Sequence, residues 1–495
     1  MLLSFLGLRY SLPKKIKFWE VFTMNMNEFL DQNQYPVLIL QWLELKKSTY
    51  CTVGMLCEFV GISKFKAEQY LEELRVSLSE VAPETRITVE STGEIYVTHL
   101  SNLVIKKVRV RYLVDSDVFQ LLKYTLDLES SLDKFSQERF LGKSQTYDKR
   151  KKLITALKQF KLHYKKGKII GNELTIRSFV YALYLNFFYG LYDPFSDSLA
   201  KKIHYVMNRM ISHLDLNLTL TQKNKLYFYL GILFTRTAHN HFCPEESSLA
   251  NTFSTISRLE VFDQQFVSSK ENIKNEWQYV LAFLRVEGLL ENELSTKAME
   301  QTTLCQEFIS QVVKGNPSEK SKFSEELGYE IERLKLKYTI FPVDTEGEAY
   351  QQPTSFLEES YPILVEPIRE FTKQIQQNND LFSESQRVYN DLFFSVLFVI
   401  PIEYMGSNVY VCVDFTQGEA YTHFIYKQIE GFRNQNIVVQ TKISSKTDLF
   451  ISDFASERLS AEQIIWKEPP NADDWEAFGA IVSQIKQRKA GIKSE

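Results

Sequence analysis

The hydrophobic period of this chain changes twice in the same way, and no other feature constrains its fold as tightly. Residues 35–45 and 52–60 (TVGMLCEFV) are apolar at helical spacing, with Thr52 placed as an N-cap. Gly61-Ile62-Ser63 makes a turn, and Ser63 can cap the next helix, 64–78. There Phe65, Tyr70, Leu71, Leu74 and Leu78 recur every three or four residues. The period then drops to two: Ile87, Val89, a Ser91-Thr92-Gly93 turn, Ile95 and Val97 spell a β-hairpin. Helix, turn, helix, hairpin is the order of a winged helix-turn-helix.

The grammar repeats from 110 to 175. Residues 116–128 read as a helix. Residues 132–140 read as a short helix closing on Leu141-Gly142, and Ser144 is expected to cap a longer helix that runs to Phe160. Leu162, Tyr164, a Lys165-Lys166-Gly167-Lys168 turn and Ile169-Ile170 then form a second wing. The duplication lies in structure, since the two segments are not a clean sequence repeat.

Beyond 175 the pattern is helical and aromatic-rich up to 398, in two blocks of similar size, 176–290 and 291–398. Residues 315–322 (GNPSEKSK) and 351–354 read as polar loops. Strand-like runs at 409–415, 437–441, 449–453 and 464–467 alternate with helices at 419–432 and 473–486, the pattern of a small α/β domain with a mainly parallel sheet. The expected fold class is mainly α and multidomain. Its segments are an N-terminal extension (1–27), two winged helix-turn-helix domains (28–105 and 106–175), two helical domains (176–290 and 291–398) and an α/β domain (399–495). Met24 is a candidate alternative start, which would make 1–23 an extension. At 495 residues the chain is too long for one hydrophobic core.

Charge is distributed unevenly. The net charge is −4, yet residues 101–180 hold 18 Lys and Arg against 8 Asp and Glu. Such asymmetry suggests one surface built for a polyanion. Ten of those cations fall within 143–168, with Asp148 the single acid there. A recognition helix needs an apolar face for its own domain and a basic, polar face for the groove. Leu153, Ile154, Leu157 and Phe160 supply the first. Ser144, Gln145, Thr146, Lys149, Arg150, Lys151 and Lys152 supply the second, with Lys165, Lys166 and Lys168 at the wing reaching phosphates. In the first unit the helix is charge-neutral, and Ser63, Lys64, Lys66 and Gln69 are its candidate DNA contacts.

Five scattered cysteines without CxxC spacing point to a reducing compartment and to neither a zinc site nor a disulfide framework. No run of 18 apolar residues is present, so the expected location is the cytoplasm, with no membrane partner. P-loop, GxGxxG, HExxH and GxSxG motifs are missing. No catalytic residue, metal or cofactor is therefore assigned.

Two winged units, then Ile169 to Arg177 in the pattern I-x-G-N-E-x-x-I-R, then two helical blocks and an α/β tail: this order resembles the Mga/AtxA group of virulence regulators from about residue 28 to 495. The resemblance implies a homodimeric transcription regulator, an activator, on double-stranded promoter DNA. It implies that 176–398 holds two PTS-regulation domains, whose histidines accept phosphate from the sugar phosphotransferase system's histidine phosphocarrier. His204, His213 and His239 are the positions implied, the last following Leu230 to Arg236 (LGILFTR). No histidine lies between His241 and His423, which leaves the second block without such control. The tail resembles an enzyme IIB domain of that system. However, Asp414-Phe415-Thr416-Gln417-Gly418 stands where a working one has its cysteine loop, and Cys412 falls inside the strand. A degenerate copy used for assembly is implied. An RNA-binding antiterminator shares duplicated regulation domains but begins with a β-rich RNA-binding domain. A phosphotransfer protein would need the loop cysteine.

Overall fold

The structure is a computed structural model. It describes residues 26–46, 50–245, 249, 259, 264–265, 270–290, 298–344, 355–377, 385–406, 408–432, 436–489 and 491. Met24, nearly all of the 1–27 extension and the 351–354 loop lie outside the described residues. Two compact units are present, one of residues 17–291 with 340–351, the other of 1–16, 292–339 and 352–495.

The unit built on 17–291 begins with a 3-10 segment, Met26–Asn33, and α1 (Gln34–Lys46). The first winged helix-turn-helix follows as α2 (Val53–Val60), α3 (Lys64–Val81), β1 (Arg86–Val89) and β2 (Ile95–Thr98). Its caps are the expected ones. Thr52 accepts a hydrogen bond from the Met55 amide, Gly61 ends α2 in the left-handed region at φ 73°, and Ser63 accepts from the Lys66 amide. The hairpin is antiparallel, with Ile87 opposite Val97 and Val89 opposite Ile95.

The second winged unit is α5 (Asp117–Leu128), α6 (Leu132–Glu138), α7 (Lys143–Lys158), β3 (His163–Lys165) and β4 (Lys168–Ile170). Between the two lies α4 (Asn102–Asp115), a helix that periodicity does not reveal. Val104, Ile105, Val108, Arg109, Val110, Tyr112 and Leu113 are buried on several sides of it, because α1, α3, α5 and α8 (Glu173–Phe188) all pack on it. A helix covered all round has no apolar stripe to read. The boundary expected at 105/106 falls inside α4. Helices α9 (Asp197–Leu214), α10 (Leu220–Ala238) and α11 (Lys270–Val286) complete the unit.

In the other unit α12 (Ala298–Val312), α13 (Pro317–Ile340), α14 (Ser355–Ser360), α15 (Pro362–Gln377) and α16 (Ser385–Val399) surround a core of Phe308, Leu327, Ile368, Phe371, Leu392 and Phe393. The stretch 315–322, expected as a loop, is mostly helix. Pro317 is tolerated in the first turn because its missing N–H would find no helical partner there. Asn316 caps reciprocally: its side chain accepts from the Glu319 amide, and its own amide donates to the Glu319 carboxylate. What reads as a polar linker is a helix start signal.

The α/β tail has β5 (Val409–Val413), α17 (Glu419–Glu430), β6 (Ile437–Gln440), β7 (Leu449–Ser452), β8 (Glu462–Ile465) and α18 (Ala472–Lys489). Its four strands run in the order β6-β5-β7-β8, every neighbouring pair parallel. Val411, Ile425, Ile451, Trp466 and Phe478 are buried together between sheet and helices. Among the described residues no helix is long and apolar enough to cross a membrane.

Candidate nucleic-acid interface

The second winged unit is organised from its helix caps upward. Ser116 and Ser131 accept hydrogen bonds from the amides of Phe119 and Lys134, which fixes where α5 and α6 begin. Helix α7 starts earlier than expected. Gly142 is its N-cap, and the Gly142 amide donates to Gln145 Oε1 at 3.1 Å, so Ser144 lies inside the first turn rather than capping it. Leu153, Ala156 and Leu157 are buried on α7, which packs on α5, α6 and β3. Thr146 also points inward: its hydroxyl lies 3.0 Å from the Gly142 carbonyl and 3.1 Å from Ser136 Oγ, locking the turn between the two helices. It is buried and out of reach of a base edge.

The remaining expected contacts divide into three groups. Ser144, Gln145 and Lys151 on α7 and Lys165, Lys166 and Lys168 on the wing are exposed. Arg150 is half-buried, its guanidinium 5.9 Å from the ring centre of Tyr164. Lys149 and Lys152 are turned instead toward Asp31 of the 3-10 segment, with Nζ–Oδ distances of 2.5 and 2.7 Å. Burial works against ionisation of Asp31, but hydrogen bonds from these two lysines hold its carboxyl below the ordinary range. Nothing in sequence spacing points to an acid more than a hundred residues away.

The wing turns on Lys166 and Gly167, both at positive φ (50° and 72°), the backbone that a two-residue hairpin favours. A Cβ on Gly167 would come within 2.1 Å of the Ser130 carbonyl oxygen, so the wing packs directly onto the α5–α6 turn. Lys168 donates to Glu129 at 2.5 Å, and Glu129 also receives His241 Nε2. Against the cost of its burial, Lys168 and His241 hold the Glu129 carboxyl below its usual value.

The Gly171 to Arg177 stretch is where the winged unit is fastened to the helices beyond it. Gly171 lies against Leu162, and Asn172 caps α8 by accepting from the Thr175 amide. Glu173 accepts from Arg177 Nε at 2.9 Å and from Arg236 Nε and Nη2 at 3.0 and 2.8 Å. Arg177 in turn grips Glu276 with both terminal nitrogens and donates to the His241 carbonyl. Arg177, Arg236 and Glu276 are all buried. Glu173 and Arg177 are legible as a motif, whereas Arg236 and Glu276 carry no sequence signal of the pairing.

The first winged unit repeats the register. Counted from the N-caps Ser63 and Gly142, the fourth, eleventh and fifteenth residues are buried in both helices: Ala67 and Thr146, Leu74 and Leu153, Leu78 and Leu157. Ser63, Lys64, Lys66 and Gln69 are all exposed. Ser63 Oγ serves the cap, Lys64 lies 3.8 Å from Glu68, and Gln69 donates to Glu73.

The implied histidines are scattered within the unit. His204 and His213 are exposed on α9. His239, the C-cap of α10, is half-buried, with Nε2 2.8 Å from the Asp127 carbonyl oxygen. In the tail, Cys412 is buried within β5, where burial first and the Asp414 charge second push its thiol up to about 11. The loop after β5 is already occupied by an anion of the chain's own: Asp453 accepts from the Thr416 amide and the Thr416 hydroxyl, which lower its pKa. Among the described residues no group of His, Cys, Asp and Glu could hold a metal ion.

Two helix-turn-helix units, each closed by a β-hairpin wing, define a winged helix-turn-helix protein. Residues 101–184 match the family model of the Mga helix-turn-helix domain, a span from the cap of α4 through the second winged unit into α8. Over that span the chain is similar to the Mga-like regulators. No curated protein matches it.

Proposed function

We propose that this protein is a DNA-binding transcription regulator, an activator, whose tandem winged units dock on double-stranded promoter DNA as a homodimer. One observation carries the reading. An Mga helix-turn-helix domain exposes Ser144 and Gln145 at the start of its recognition helix, Lys151 at its middle, and Lys165 and Lys166 at its wing tip. A helix start and a wing presented side by side suit a major groove and its flanking phosphates. Two copies in one assembly would raise the effective concentration of the second at a promoter.

The helical block after the second wing is read as a PTS-regulation domain, and 291–398 as a second. Support comes from the buried Glu173–Arg177–Arg236–Glu276 cluster, which ties α10 and α11 to the winged unit. Phosphate arriving from the histidine phosphocarrier at His204, His213 or His239 would then act on a body continuous with the DNA-binding element. The α/β tail is read as a degenerate IIB-type domain used for assembly. Asp453 seated on Thr416 and the buried, poorly ionised Cys412 both argue against phosphotransfer there. The reading has no enzymatic step and no cofactor, and places the protein in the cytoplasm.

The test is a salt-titrated gel shift of wild type and a Lys151/Lys165/Lys166→Ala variant on promoter DNA. These three lysines are preferred to Lys149 and Lys152, whose loss would also unpair Asp31. The variant should bind more weakly, with a shallower dependence on salt, by about 0.9 in log–log slope for each phosphate left without its lysine. Equal retention of both proteins at every salt concentration would end this reading.

A further inference from the structure

Large aromatic side chains stand in solvent around both recognition helices. Phe65, the second residue after the Ser63 cap, is 76 % exposed, and Tyr147, the fifth after Gly142, is 60 % exposed. Phe140, in the turn that leads into α7, is 95 % exposed. Its backbone is left-handed, with φ 54°. That position follows the end of α6, where a helix usually places glycine, and the left-handed region strains a residue that carries a side chain. A bulky ring held there in water serves no packing purpose in its own domain.

The polar side chains of the same turns are largely committed to the protein. Gln145 Oε1 accepts from the Gly142 amide, Ser63 Oγ accepts from the Lys66 amide, Gln69 donates to Glu73, and Thr146 is buried. At the start of α7, Ser144 and the Nε2 of Gln145 remain for a base edge, while lysines that meet phosphates are indifferent to sequence. The major groove offers one apolar feature for an aromatic ring to distinguish, the C5 methyl of thymine.

We propose that Phe65, Phe140 and Tyr147 are specificity-determining residues that read thymine by covering its methyl group. This rests on the DNA-binding reading above and adds the chemistry of its sequence preference. Lysines bring the helices to the backbone, and the rings then favour steps that present a methyl over those that do not. The occupant is duplex DNA, for which the positive charge of α7 and its wing is complementary.

Replacing thymine by deoxyuridine removes the methyl and leaves every hydrogen-bonding edge and phosphate in place. The full-length protein is titrated by fluorescence anisotropy against long duplexes of alternating dA and dT and of alternating dA and dU. Wild type should bind the methylated duplex more tightly, by about fourfold for each methyl buried, at roughly 0.8 kcal/mol apiece. Phe65→Ala, Tyr147→Ala and Phe140→Asn should each reduce that ratio. Asparagine accepts the left-handed backbone, so Phe140→Asn should keep or raise the melting temperature while losing discrimination. Lys165→Ala with Lys166→Ala should weaken binding to both duplexes alike and leave the ratio unchanged. Equal wild-type affinity for the two duplexes overturns the methyl reading alone. Absence of binding to either overturns the DNA-binding function and this inference together. A full ratio retained in all three aromatic variants assigns the methyl recognition to other residues and overturns the proposal.

Discussion

Arg177 and Glu276 face each other across 99 residues of sequence and form two parallel hydrogen bonds, Nη1 to Oε2 at 2.6 Å and Nη2 to Oε1 at 2.9 Å. The glutamate is wholly buried, and its Oε1 also takes the Cys243 amide at 2.8 Å. Removing one charge of such a pair strands the other away from water. Glu276→Ala is expected to cost about 3–5 kcal/mol by thermal or urea unfolding. Replacing Arg177 and Glu276 together by Met and Leu should recover most of that loss. A double variant as unstable as the single one would show that the pair is not the source of the cost.

The acids of this unit set a direction for its pH dependence. Burial opposes ionisation of Glu173, yet Arg236 and Arg177 keep its pKa below the 4.5 of a free glutamate. Asp31 is held low in the same sense by Lys149 and Lys152. A depressed folded-state pKa means that the unfolded chain binds more protons. The stabilisation is therefore complete above the unfolded pKa and is lost as pH falls through the folded one. Stability should decline on acidification below about pH 4.5, and Glu173→Gln should flatten that decline while lowering stability at neutral pH. Melting temperatures taken across the acid range check both signs.

Gly167 has no tolerated substitute. Alanine there would carry a Cβ into the Ser130 carbonyl at a backbone φ of 72°. The wing should lift from the α5–α6 turn, with amide exchange rising across β3 and β4. The strain of the left-handed backbone alone is about 1–2 kcal/mol. Unchanged exchange in Gly167→Ala would contradict the close packing.

The three implied phosphorylation positions differ in access at the ring. His204 and His213 are exposed on one helix, whereas His239 has its Nε2 directed at the Asp127 carbonyl. Carbethoxylation followed by peptide mapping should label His204 and His213 faster than His239. The same order is expected for any phosphate transferred from the phosphocarrier, read by loss of label in single His→Ala variants.

How much of this was legible depends on where the information sits. Period and caps are local, so both winged units, the Thr52 and Ser63 caps and the parallel tail can be read from the chain itself. Helix α4 is hidden because burial on several sides erases its stripe, and the α13 start is hidden because a capping box is made of loop-like residues. In the interface, the basic run is legible as charge, but its division is not. Whether Lys149 meets Asp31 or solvent is decided by the path of a segment more than a hundred residues earlier. Phe140 shows the converse. A phenylalanine reads as core in any sequence pattern, and only its left-handed backbone and exposure reveal a ring turned outward.

The seating of Asp31 between Lys149 and Lys152 has a further consequence. That flank of the recognition helix carries its own built-in counter-ion, so an incoming phosphate would have to displace a carboxylate held by the same molecule. Exchanging Asp31 for asparagine would remove this internal competitor, unmask two cations and leave a protein that clings to any polyanion with less regard for sequence.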